Sequence, residues 1–232
     1  MLETREISAL FTLIDDPDEE IFSSVGNRIM DFGTGIIPHL ENLWEHTINE
    51  EVQDKIETLI HRLHFKELRT DFEQWRDGAY NDLICGTLMV AKFQYPDLES
   101  APVLLEIEKM RRNIWLELNT FLTPLEKANV ISSILYNFYK LKGQEVSYHN
   151  ADDFFLHKVL QSKKGNAISN GILYLILCEL LHISVRVINI PRQFIIAFYQ
   201  SDVDLAESNA SAKDRISFFV DATTGQPFTH KD

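Results

Sequence analysis

The run from Ile172 to Leu181 constrains this chain more than any other. Within it only Glu179 is charged. A helix that is apolar on nearly every side lies inside a domain rather than on its surface. About a dozen residues are too few to cross a bilayer. The chain must therefore supply layers to wrap around this helix, and its neighbours say which. Lys163 and Lys164 suit a helix C-terminus, Gly165 can take the left-handed residue that ends it, and a new helix starts within Asn166–Asn170. Beyond the helix, Ser184–Ile190 sets Val185, Val187 and Asn189 against Arg186, Ile188 and Ile190, the alternation of a strand. Pro191 breaks it. Gln193–Tyr199 reads as a second strand and Arg215–Ala222 as a third, followed by a turn at Thr223-Thr224-Gly225. The expected fold class is α+β: a buried helix on a small antiparallel sheet, behind a mainly helical N-terminal part.

At 232 residues the chain allows one large or two small domains. Its formal charge of −13 and pI near 5.0 would repel a duplex or an anionic membrane, so neither nucleic acid nor membrane is an expected partner. Cys85 and Cys178 stand in apolar surroundings and read as buried free thiols, which suits a reducing compartment. The opening residues, M-L-E-T-R-E-I-S, lack the basic-then-apolar layout of a signal peptide. The expected address is cytoplasmic.

Residues 3–14 place Ile7, Leu10, Phe11 and Ile14 on one helix face. Asp16, Pro17 and Glu19 then read as N-cap, first turn and capping-box partner of a helix running to about Phe32. The acidic run Asp15–Glu19 is better explained as a charged helix start than as a cation site. Further helices are expected from about Pro38 to His46 and, behind an Asn49 cap, from Glu50 to about His64. Ile21, Val25 and Ile29 return as Val52, Ile56 and Ile60, a spacing of 31 residues. Helical units repeating at that scale resemble a short HEAT-like array. His61 and His64 sit on neighbouring turns, but two histidines without further ligands make a poor metal site.

Residues 66–145 read as helical throughout. Leu83–Phe93 is apolar, Tyr95-Pro96-Asp97 breaks it, and Ala101–Leu118 carries a regular apolar face. Thr123-Pro124-Leu125-Glu126 is a strong start signal for a helix to about Leu141, ended by Gly143. Asp152–Lys163 forms one more amphipathic helix. The polar stretch between Gln200 and Asp214 reads as a surface loop, and the residues after Phe228 as a frayed tail.

A buried helix followed by three strands resembles the transglutaminase-like core. Gly165-Asn166-Ala167-Ile168-Ser169, Pro191-Arg192-Gln193-Phe194 and Asp221-Ala222-Thr223-Thr224-Gly225, with Tyr95-Pro96-Asp97-Leu98 and Phe155–Leu160 upstream, resemble the SirB-type branch of that family. The resemblance covers roughly residues 68–228. It implies a cysteine nucleophile at the helix start, a histidine base on a strand and an aspartate on the next. Here those positions read as Ser169, Gln193 and Asp221, with the first uncertain by about two residues. Cys178 lies nine residues beyond Ser169, roughly 13 Å along the helix, and cannot stand in. A serine hydroxyl needs a base, and the amide of Gln193 is none. His149 or His157 could reach over from the preceding segment; His182 reads as structural and His230 lies in the tail. The alternative to catalysis is a polar clasp, with Ser169 capping the helix or bonded to Gln193, and Gln193 to Asp221.

The sequence thus divides into HEAT-like repeats over 1–66 and a transglutaminase-like domain over 67–232. Within the latter, 67–150 is a helical subregion and 151–228 the helix-plus-sheet core. The expected function is that of a non-catalytic binding, scaffold or regulatory module for a protein or peptide partner, with Asn166, Ser169, Gln193 and Asp221 as candidate binding residues. No cofactor or metal is expected. The competing expectation is an acyl-transfer or hydrolase enzyme using Ser169 and a histidine from elsewhere.

Overall fold

A computed structural model describes residues 2–78, 82–190, 193–199 and 216–229. The chain divides into two units, Met1–Asn81 with Lys92–Pro96, and Asp82–Ala91 with Asp97–Asp232. The loop expected between Gln200 and Asp214 lies outside the described residues, as do Pro191, Arg192 and His230.

The first unit is built from α1 (Leu2–Leu13), α2 (Glu19–Asp31), α3 (Ile37–His46) and α4 (Glu50–Asp77). Its core joins Ile14, Val25, Ile29, Ile36, Leu40, Val52, Ile56, Leu59 and Leu63. Of the repeating positions, Val25, Ile29, Val52 and Ile56 are buried, while Ile21 stands 36% exposed. Two expectations are corrected. Asp18, not Asp16, caps α2, accepting from the Glu20 amide at 2.9 Å; Asp16 instead takes the Asp18 amide in the turn before it. And α4 does not stop near His64. No glycine or proline interrupts residues 50–77, so the helix that Asn49 caps runs on to Asp77, through the expected boundary at residue 66.

The second unit wraps α9 (Ala167–Leu180). Around it lie α5 (Leu83–Gln94, as far as Ala91), α6 (Ser100–Glu117), α7 (Pro124–Ser132) continuing into a π-helical turn at Ser133–Phe138, and α8 (Leu156–Ser162). Thr123 and Glu126 form the expected capping box of α7. Leu173, Tyr174, Ile176, Leu177 and Cys178 are fully buried or nearly so against Ile107, Met110, Ile114, Ile131 and Leu135. The lone charge of α9 is used at its exposed end, where Glu179 accepts the Leu83 amide at the start of α5.

Two short strands were not anticipated. β1 (Lys142–Gln144) and β2 (Lys164–Asn166) pair in parallel, with Gly143 opposite Gly165. Neither glycine ends a helix. The left-handed residues are Lys140 and Lys163, at φ 59° and 56°. The Lys163 amide donates to the Val159 carbonyl at 2.8 Å and its carbonyl accepts the Lys142 amide at 2.9 Å, while its side chain pairs with Glu106 at 3.0 Å and lies 5.5 Å from the centroid of the Tyr139 ring. The glycines serve close approach instead: a Cβ at Gly143 would run into the Thr223 carbonyl, and one at Gly165 into Asn170 Oδ1.

The main sheet is antiparallel in the order β3 (Val185–Ile190), β4 (Gln193–Tyr199), β5 (Ile216–Asp221), β6 (Pro227–Phe228). The short β6 lies just before the residues that read from sequence as a tail and was not anticipated. Phe194, Ile196 and Phe198 share one face of β4 by strand alternation. That face meets α9: the Phe194 ring fills the space beside Gly171, and Phe198 meets Tyr174 edge to face at 6.4 Å. Phe218, stacked on Phe198 at 4.8 Å, continues the layer.

Gly171→Ala gains about 1 kcal/mol of helix propensity. It also drives a methyl into the Phe194 ring, an overpacking that costs typically 1–3 kcal/mol, so net destabilisation is expected in urea melts. An unchanged or raised midpoint would mean that the ring moves aside freely.

Candidate functional site

The mouth of α9 is assembled from its own first turn. Asn166 is the N-cap: its Oδ1 accepts the amides of Ile168 at 2.9 Å and Ser169 at 3.0 Å. Ser169 returns the favour, its Oγ accepting the Asn166 amide at 3.0 Å, which completes a reciprocal box. The serine hydroxyl can donate only to the Asn166 carbonyl or to Asn166 Oδ1, each at 3.4 Å. Both are amide oxygens and neither is a base. Asn166, Ser169 and Asn170 are almost wholly buried. Asn170 donates to the Lys142 carbonyl at 3.4 Å, tying β1 to the helix start. Asn170 and the β1–β2 pair escape sequence reasoning; the two glycines later found opposite each other were the available signal.

The strand residues do not converge on Ser169. Gln193 is exposed at the start of β4, one residue before Phe194, and so on the face of the strand turned away from α9. Asp221 pairs with Ile195 across the sheet and belongs to that same outer face, while Val220 and Ala222 join the core with α9. Asp221 holds the turn after β5. Its carboxylate accepts the Thr223 amide at 2.8 Å and the Thr224 hydroxyl at 3.1 Å. Tyr136 seals the turn from behind by donating to the Ala222 carbonyl, with Gly225, at φ 72°, beneath its ring. Of the expected clasp, Ser169 therefore takes the capping place; among the described residues no side-chain hydrogen bond joins Gln193 to Ser169 or Asp221.

Burial pushes the Cys178 thiol far above its ordinary range, the opposite of an activated nucleophile. Cys85, expected to be buried, is exposed near the start of α5, where Asp82 accepts its amide at 2.6 Å. His182 is the exposed left-handed residue just past α9, at φ 55°. His149 is exposed in the connection before α8. His157 is buried on α8, its ring beside that of Phe155. Among the described residues none of them hydrogen-bonds to Ser169, whose hydroxyl bonds to Asn166. Among the described residues no group of three or more His, Cys, Asp or Glu is placed to hold a metal ion. No described helix is long and apolar enough to cross a membrane.

Comparison with known families matches residues 101–232 to the transglutaminase-like superfamily, more than half of the chain. The chain belongs to that superfamily. F-box only protein 21 of mouse is 26% identical over 123 residues, and its human counterpart 25% over the same length. The matched segment covers 51% of this chain and 17% of either relative, so the chain spans well under a quarter of their length. No solved structure matches it.

Two measurements test this geometry. Asn166→Ala removes the acceptor for two amides of a buried helix start, and a loss of about 0.5–2 kcal/mol is expected from urea midpoints. Burial holds the His157 imidazole below its ordinary value of 6.5, Lys158 adding to the shift and Asp152 opposing it. The unfolded chain then binds more protons than the folded one once pH drops below about 6.5, so stability falls through that window. His157→Gln should flatten the decline in urea midpoint between about pH 7.5 and about pH 5.

Proposed function

We propose that this chain is a non-catalytic member of the superfamily, of the SirB-type branch, working in the cytoplasm as a binding or scaffold module for a protein or peptide partner. Its N-terminal helices are read as a short HEAT-like array, a form whose grooves commonly hold partners. The observation that carries the reading is the side chain opposite the mouth of α9. Acyl transfer needs a base within hydrogen-bond reach of the nucleophile. Phe194 fills that side of the sheet, pressed on Gly171, while Gln193 and Asp221 face the other way. Ser169 is 1% exposed and committed to Asn166. The likeness to F-box only protein 21 agrees with a setting of protein interaction.

The competing reading makes Ser169 a nucleophile served by a histidine from elsewhere. It would require the cap to open and a ring to reach a serine enclosed with Asn166 and Asn170. Asn166, Ser169, Gln193 and Asp221 are proposed instead as residues that shape the module and its surface, the first two from within and Gln193 from the exposed edge.

The test is turnover. Amine incorporation into a glutamine-bearing peptide should stay at background for the wild type and for Ser169→Ala alike. A fluorophosphonate should not label Ser169. Ser169→Ala should be read in stability instead, losing about 1–3 kcal/mol because the buried Asn166 amide is left without its acceptor. Turnover that Ser169→Ala abolishes would overturn the proposal.

A further inference from the structure

In the first unit, the stretch of α4 from Thr58 to Arg69 forms one wall of a groove of about 900 Å³, closed by Asn27 and Met30 of α2 and by Lys92–Gln94. Its lining runs against the composition of the chain. Acidic residues outnumber basic ones 35 to 22 overall, yet Arg62, Lys66, Arg69 and Lys92 line the groove and no carboxylate does. Two of these cations are partly committed: Lys66 donates to the Met30 carbonyl at 3.0 Å, and Arg69 pairs with Glu73 at 3.1 Å. Arg62 and Lys92 meet no carboxylate among the described residues. Between the cations stand Phe65 and Phe93, 55% and 66% exposed, edge to face at 6.2 Å. Paired aromatic rings left in water beside unneutralised charge form a surface suited to a ligand.

We propose that this groove binds an acidic peptide segment of a partner protein, one carrying an apolar side chain between its carboxylates. The apolar side chain covers the Phe65–Phe93 pair. The Arg62 guanidinium takes a carboxylate through its planar fork, and the Lys92 ammonium takes a second as a point charge. A duplex is the poorer fit, because it needs many cations spread along its backbone, and the groove gathers four beside an exposed aromatic pair. The inference rests on the binding role proposed above and adds its place and the chemistry of the partner.

Fluorescence anisotropy with the full chain tests it. The probe is a short fluorescein-labelled peptide of Glu and Asp flanking a central Phe-Leu pair. Saturable binding is expected, falling as salt is raised. The pair Arg62→Gln/Lys92→Gln should weaken it about tenfold. Phe65→Ala/Phe93→Ala, or replacing Phe-Leu of the probe by Ser-Ser, should also weaken it. Thermal melts matched to wild type establish that the variants fold; if the phenylalanine pair does not, the Arg62/Lys92 pair and the Ser-Ser probe decide. No saturable binding, or binding untouched by the Arg62/Lys92 pair, would sink the proposal. So would an oligothymidylate of equal charge binding as tightly and losing as much in that pair, which would assign the groove to nucleic acid. Amine incorporation by the wild type would overturn the non-catalytic reading and leave the peptide result standing.

Discussion

Burying the first turn of α9 is the constraint on which the second unit depends. A helix start carries amides with no partner inside the helix, and each is expensive to hide from water. Asn166 and Ser169 satisfy three of them between each other's side chain and backbone. With those amides paired, β1 and β2 pack against the turn. Gly143 and Gly165 then follow from geometry: the Thr223 carbonyl leaves no space for a methyl at the first, and the Asn170 side chain of α9 none at the second.

The same constraint bears on the chemistry. The superfamily frame would set a nucleophile at the helix start, where aligned amides favour negative charge. At the start of α9 the Ser169 hydroxyl accepts the Asn166 amide as part of the cap. On the sheet, Phe194, Ile196 and Phe198 stabilise the unit by burial against α9. The first unit works differently. Its core is an ordinary helical stack, and its distinctive property is on the surface, where cations and aromatic rings collect in one groove of an otherwise acidic chain.

Much of this is legible in the linear chain. A run with one charge in ten residues demands burial, alternation of branched residues demands strands, and Asn49 and Thr123 announce helix starts by side-chain chemistry alone. These signals are local, and α9, β3, β4 and β5, with the starts of α4 and α7, stand where they point. The failures are equally instructive. Lys163, not Gly165, takes the left-handed conformation, at a peptide whose carbonyl accepts the amide of Lys142, distant in sequence. Cys85 sits in an apolar run yet reaches solvent, since an apolar neighbourhood along the chain does not say which way a helix is turned.

By itself, the sequence determined that a hydrophobic helix would be enclosed by helices and an antiparallel sheet, because burial and periodicity are written residue by residue. It also determined that no cysteine stands at the start of that helix. Only the tertiary structure decided which face of β4 meets α9. A one-residue step moves a side chain to the other side of a strand, and that step separates Gln193 from Phe194. It decided, too, that Arg62 and Lys92, remote in sequence, share one groove, because charges meet through packing and not through spacing.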